Sequence, residues 1–129
     1  MEEQRQIFLH GPLGQRHLRE ILSAQFSGLI LYPEPIWLIS PWMSDFDVID
    51  NRGGQWSFLD PSWGARMVSF QELLATAVNN GCPLRIVTRE DTRSVVFIER
   101  LLTRLSPDHD MQYLYHENLH AKGLLTKHF

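Results

Sequence analysis

Residues 36–40 are Ile-Trp-Leu-Ile-Ser, a run of four apolar residues with Pro35 before it and Pro41 shortly after it. A short apolar run bounded by turn formers is typical of a strand that is buried on both faces. A second run of this kind, Leu84–Thr88, follows the turn-forming pair Asn80-Gly81. The sequence therefore predicts two central strands of one sheet.

Helical periodicity surrounds these strands. Apolar residues recur at helical spacing over residues 18–29 and again over residues 96–105, while Ser69 and Glu72 fit a capping box at the start of a helix between them. Helices that alternate with strands form crossovers, so the pattern predicts an α/β fold. We expect one domain over residues 1–129, with a mixed or parallel sheet covered by helices on both faces.

The ends of the predicted strands and the long segment after the first strand both bear on function. Ligands of such sheets bind beyond the carboxyl ends of the strands, which here are Ser40, Thr88 and the region around His120.

Residues 43–63 are rich in aromatic and turn-forming residues and are too long for a simple connection. Their rings could stack on nucleic-acid bases, but packing onto the sheet or a dimer contact is the favoured interpretation.

Composition limits the class of protein. The net charge is −3, so a broad basic surface that coats nucleic acid is not expected, although a local basic site is. Cys82 is the single cysteine, and the charged N-terminus lacks the apolar segment of a signal peptide. These features predict a cytoplasmic protein with no membrane substrate.

The chemistry is concentrated in residues 115–125, where His120 and Lys122 are two positions apart. On a strand, side chains two apart share a face, so both would point at one ligand while Leu119 and Ala121 face the core. A lysine can neutralise the phosphoryl oxygens while an imidazole attacks phosphorus or transfers a proton. This pair predicts chemistry at a phosphodiester.

His120-Ala121-Lys122 resembles the start of the His-x-Lys-x4-Asp motif of the phospholipase D superfamily, and residues 119–126 are similar to its bacterial one-motif members. Residues 36–42 resemble the first core strand of that group, and residues 80–88 its helix–Gly–strand step. The Ser-Pro-Trp turn at residues 40–42 and the aromatic loop are also similar to the phospholipase D-like proteins of bacterial deazaguanine DNA-modification clusters.

The resemblance implies a phospholipase D-like fold and a nuclease-type phosphodiesterase that needs no metal and no cofactor. His120 would form a phosphohistidine and Lys122 would hold the phosphate. Asn118, Ser40 and Arg89 are further candidates for contacts with a nucleic-acid substrate. Because the chain has one His-x-Lys motif, the resemblance also implies a homodimer with the site at its two-fold interface.

The chain departs from the family pattern in two places. Lys127 stands where the motif has Asp, and the downstream Gly-Ser-x-Asn segment is absent before Phe129. We therefore expect a domain that is incomplete at its C-terminus. A second hypothesis follows, in which the chain is a catalytically degenerate subunit that binds phosphate or nucleic acid in a bacterial DNA-modification or defence system.

A third hypothesis comes from residues 116–120, which also match His-Glu-x-x-His. On a helix, His116 and His120 would lie one turn apart and could bind zinc, with Glu117 activating a water. The extended metalloprotease motif has a third histidine, which would fall at position 126. The residue at that position is Thr126. The buried strands upstream and the turn after Pro107 favour a strand here instead.

Overall fold

The computed structural model of the chain describes the backbone of residues 11–126 and the side chains of residues 17–126. Lys127 and Phe129 lie outside these residues. Within them the chain forms three α-helices, six strands and a short 3₁₀ helix at Pro61–Trp63. The elements are α1 Gly11–Leu31, β1 Ile36–Ile39, β2 Asp47–Asp50, β3 Met67–Ser69, α2 Phe70–Asn79, β4 Leu84–Thr88, α3 Thr92–Arg104, β5 Met111–Tyr115 and β6 Gly123–Thr126.

The main sheet is mixed, with the strand order β5-β4-β1-β6. Strands β1, β4 and β5 run parallel, and α2 and α3 lie on the chain between them. Strand β6 pairs antiparallel with β1. The predicted α/β class with a mixed sheet is therefore confirmed, and its two edge strands are β5 and β6.

Only one face of this sheet is buried by the described residues. Ile36 and Leu38 of β1 are buried, whereas Trp37 between them is 46% exposed. In β5, Leu114 is 60% exposed. Helices α1, α2 and α3 pack side by side, α1 against α2 and α2 against α3. The prediction of helices on both faces is thus wrong for this part of the chain, because an unbroken apolar run does not show which alternate side chains are covered.

The segment after β1 contains more structure than its turn formers suggested. Strands β2 and β3 pair as a separate antiparallel sheet. Asn51 is fully buried in the turn between them, where its side-chain amide donates to the Gly64 carbonyl and its oxygen accepts from the Trp56 backbone N–H. Trp63 is buried, and Trp56 packs against the core. These two rings pack the loop onto the body, as the favoured interpretation of the loop predicts.

The start of α2 is the predicted capping box. The Ser69 hydroxyl accepts from the Glu72 backbone N–H at 3.3 Å, and the Glu72 carboxylate accepts from the Ser69 N–H at 3.1 Å. We expect Ser69→Ala to lower the free energy of unfolding by about 0.5–2 kcal/mol, because one helix N–H then loses its acceptor. Urea denaturation would measure this loss. Ser44→Ala, at an exposed loop position, is the matched control, and an equal loss in both variants would contradict the capping role.

Candidate functional site

Three strands bring the candidate residues to one edge of the main sheet. Strands β1 and β4 run parallel and both end at this edge, with Ile39 opposite Val87. Because β6 is antiparallel to β1, Gly123 at its start pairs with Ile39. The residues just before β6 therefore meet the residues just after β1 and β4. The expected edge is confirmed, although His120 reaches it from the beginning of a strand and not from its end.

His120 and Lys122 do not lie on a strand, contrary to the prediction. Strand β6 begins one residue after Lys122, so residues 116–122 form the connection from β5. His120, Ala121 and Lys122 are exposed, and Leu119 is half-buried. The expected burial of Ala121 is therefore wrong. The ladder between β1 and β6 stops at the pair Ile39–Gly123, because Ile39 is the last residue of β1 and leaves residues 120–122 no strand residue to pair with.

Arg89 is the side chain that contacts His120. Its Nη2 lies 3.1 Å from His120 Nδ1, and its Nε donates to the Leu119 carbonyl at 2.9 Å. Arg89 follows β4 directly, and its own backbone N–H donates to the Pro41 carbonyl at 3.1 Å. One arginine thus connects the ends of β1 and β4 to the histidine segment, and the sequence indicated it only by its position after a central strand.

A buried hydroxyl network lies beneath this edge. The Thr88 hydroxyl donates to Ser94 Oγ at 2.9 Å, and Ser94 Oγ accepts from the Met43 backbone N–H at 3.0 Å. Thr88 and Ser94 are both fully buried. The network joins β4, α3 and the loop after β1, so it holds the backbone that positions Arg89. Sequence reasoning did not find it, since isolated Thr and Ser residues carry no recognisable pattern.

Ser40 and Asn118 occupy different surroundings. Ser40 is buried, and its hydroxyl donates to the Trp42 carbonyl at 2.6 Å, so it shapes the turn after β1. Asn118 is exposed in the turn before His120, and its backbone N–H donates to His116 Nδ1 at 3.3 Å. Ser40 and Lys122 border the same cavity, whereas Asn118 does not line it.

That cavity has a volume of about 230 Å³ and lies between α1, the end of β1 and the start of β6. Its wall is mainly apolar, and Lys122 is the one charged residue among residues 17–126 that lines it. The aromatic residues in the wall are Trp42, Phe46, Phe70 and Phe97. Phe46 and Phe70 stack with ring centroids 5.2 Å apart. A ligand with a flat apolar body and an anionic group matches this lining.

Arg93, which lies over the Trp42 ring, adds a third cation to this edge. The Arg93 guanidinium carbon is 5.4 Å from the centre of the Trp42 ring, which is a cation–π distance. Trp42 is 47% exposed. Asp91, the N-cap of α3, accepts from the Arg93 backbone N–H and side chain, and these contacts hold the pKa of the Asp91 carboxyl below its ordinary value. Arg93 thus contacts both Asp91 and the tryptophan.

The alternative zinc interpretation requires a helix at residues 116–120, and the structure has none there. His116 follows β5, where its backbone N–H donates to the Thr88 carbonyl, and residues 117–118 form a turn. The two histidines are therefore not placed one helical turn apart, and the prediction of that geometry is wrong. Within residues 17–126, no three His, Cys, Asp or Glu side chains are grouped so that they could hold a metal ion.

No protein-family model matches this chain, and no curated protein or solved structure is significantly similar to it. No helix in the described part of the chain is both long enough and apolar enough to cross a membrane. The fold and the site together define a mixed α/β domain with a histidine, a lysine and two arginines at one sheet edge.

Proposed function

We propose that the chain is a metal-independent phosphodiesterase of the phospholipase D type, and that nucleic acid is its substrate. The observation that carries the proposal is the position of His120, which is exposed, contacts Arg89 and lies two residues from Lys122 at the same sheet edge. An imidazole with cationic neighbours suits a phosphodiester, because the cations balance the charge that builds on the phosphoryl oxygens.

The chemistry would run in two displacements. Arg89 contacts Nδ1 of His120, so Nε2 is the nitrogen that would attack phosphorus, in the tautomer in which Nε2 carries no proton. In the first step Nε2 forms a bond to phosphorus, the ester P–O bond breaks, and the leaving oxygen takes a proton from an acid. In the second step water forms a P–O bond as the P–N bond breaks, and the water proton returns to that group.

A second copy of the chain would supply the acid. One His120 serves as the nucleophile, and the His120 of the other copy gives and recovers the proton. The chain has a single His-x-Lys motif, so the pairing needs a homodimer in which the two copies form one site at the two-fold axis. Lys122 of each copy would bind a phosphoryl oxygen and strengthen its contact as negative charge develops.

The cavity next to Lys122 supports a substrate that carries a base. A nucleobase is flat and largely apolar on its faces, and four aromatic residues contribute to the cavity wall. The neighbouring Trp42 and Arg93 offer a further ring and a further cation. A phosphate on Lys122 with its base in the cavity would use both parts of the site.

A second candidate function is favoured by a specific contact. The group on His120 Nδ1 is a guanidinium, whereas a carboxylate would orient and stabilise a charged imidazole. Lys127 also occupies the position of the motif aspartate. Both features suit a subunit that binds a phosphate without cleaving it, in a bacterial DNA-modification or defence system.

Hydrolysis of bis(p-nitrophenyl) phosphate and of DNA in excess EDTA tests the proposal. We expect the wild-type protein to turn over with the chelator present and Lys122→Met to be slower by about 10²- to 10³-fold, because the variant loses one charge-stabilising contact. Arg100→Met, at an exposed position of α3, is the matched control. Turnover that stops in EDTA and returns with zinc would contradict the proposal. Folded protein that binds DNA without turnover would favour the second candidate.

A further inference from the structure

We infer that Arg89 decides which nitrogen of His120 carries the proton, and that it must leave His120 before that histidine can act as a nucleophile. The inference begins from one contact, the 3.1 Å separation of Arg89 Nη2 from His120 Nδ1. The consequence for phosphoryl transfer rests on the proposed function, whereas the assignment of the proton does not.

The direction of this hydrogen bond is fixed by chemistry. A guanidinium has five N–H donors and no acceptor, so Arg89 donates. Nδ1 of His120 must then accept with its lone pair, and it carries no hydrogen. In the neutral imidazole the single N–H is therefore on Nε2. At Nε2, His120 therefore has an N–H group that can donate a hydrogen bond, but no lone pair.

Both the backbone and the side chain of Arg89 are hydrogen-bonded to neighbouring segments, so its contact with His120 is part of the folded structure at this edge. Its backbone N–H donates to Pro41, and its Nε donates to the carbonyl of Leu119, the residue before His120. The guanidinium thus holds two neighbouring residues with two of its nitrogens. The far end of the same segment is held where the His116 N–H donates to the Thr88 carbonyl at 2.7 Å.

A site in this state binds anions but does not attack them. The His120 Nε2–H, the Lys122 ammonium and the unused Arg89 N–H groups are all donors, which suits a phosphate. Attack by Nε2 requires that its proton be lost to water and that Nδ1 take one from water, and Nδ1 is free to do so only when Arg89 has moved. A phosphate is the ligand that would draw it away, because it accepts two guanidinium N–H groups at once.

The inference also gives the two histidines of a dimer different tasks. A His120 that keeps its Arg89 has an Nε2–H to give to the leaving oxygen, as an acid must. A His120 that has lost its Arg89 to the phosphate has a lone pair on Nε2, as a nucleophile needs. Two copies of one sequence could in this way provide both roles.

Nitrogen-15 NMR of the imidazole rings tests the proton assignment in the absence of any substrate. At a pH above the ordinary titration of histidine, we expect wild-type His120 to show one unprotonated nitrogen, Nδ1, and one protonated nitrogen, Nε2. In Arg89→Met both signals should move toward the averaged values of free histidine. Arg93→Met is the matched control and should leave them in place, since Arg93 contacts Asp91 and Trp42. Averaged or reversed signals in the wild-type protein would overturn the inference.

Titration with inorganic phosphate tests the release of Arg89. We expect the Lys122 signal to shift and His120 Nδ1 to gain a proton as phosphate saturates the site. If the Lys122 signal shifts while His120 Nδ1 stays unprotonated, the proposed release of Arg89 is wrong, although phosphate does bind at this site. If neither residue responds to phosphate, the proposed function fails together with the release step, while the proton assignment is judged by the ligand-free spectra alone.

Discussion

We expect His120→Ala to lose phosphodiesterase activity by about 10³- to 10⁶-fold, because the variant lacks the group that forms the covalent bond to phosphorus in the proposed mechanism. His120 is exposed, and its ring contacts Arg89 at the sheet edge. Truncation of an exposed side chain leaves the core intact, so the variant should unfold at nearly the same denaturant concentration as the wild type. Initial rates on bis(p-nitrophenyl) phosphate in EDTA would measure the effect.

His116→Ala is the control for this variant. His116 lies in the same connection, is also exposed, and accepts a hydrogen bond from the Asn118 N–H. We expect it to keep most of its activity, since its side chain is not among the groups assigned to the phosphate. Equal losses of activity in the two variants would contradict a unique role for His120. They would instead support a function that needs both His116 and His120.

The second large effect concerns stability. Leu74→Ala should lower the free energy of unfolding by about 2–5 kcal/mol, because Leu74 is completely buried in α2 and its truncation leaves a cavity. Helix α2 packs against both α1 and α3, so the helical layer has little freedom to close around the missing atoms. Urea denaturation followed by circular dichroism would measure the loss.

Val96→Ala serves as the comparison for Leu74→Ala. Val96 lies on α3 and is 37% exposed, so its truncation should change stability by less than about 1 kcal/mol. If the two variants were equally stable, the packing of α2 against α1 and α3 would be contradicted.

Local signals in the sequence predicted much of the fold. The capping box at Ser69 and Glu72 is present as expected, because a helix start depends on residues three apart. The apolar runs at residues 36–39 and 84–88 are strands of one sheet. What the sequence could not show is which side of these strands faces solvent, since Trp37 is as apolar as its buried neighbours and yet is half exposed. That choice depends on the position of the helices.

The site was predicted less completely, for a related reason. His120 and Lys122 were recognised because they are close in sequence, whereas Arg89 lies 31 positions before His120 and meets it only through the pairing of three strands. The direction of β6 is also a tertiary property. Its antiparallel pairing with β1 brings the start of β6, and with it Lys122, to the edge where β1 and β4 end.

The most direct test of a histidine-based mechanism is to trap the intermediate. The protein would be mixed with bis(p-nitrophenyl) phosphate in EDTA, quenched at alkaline pH, at which a phosphorus–nitrogen bond survives, and digested for mass spectrometry. We predict a nitrophenyl-phosphoryl group on the peptide that contains His120, and its disappearance in His120→Ala. Turnover in which the label falls on another residue, or continues undiminished in His120→Ala, would contradict the assignment of His120 as the nucleophile.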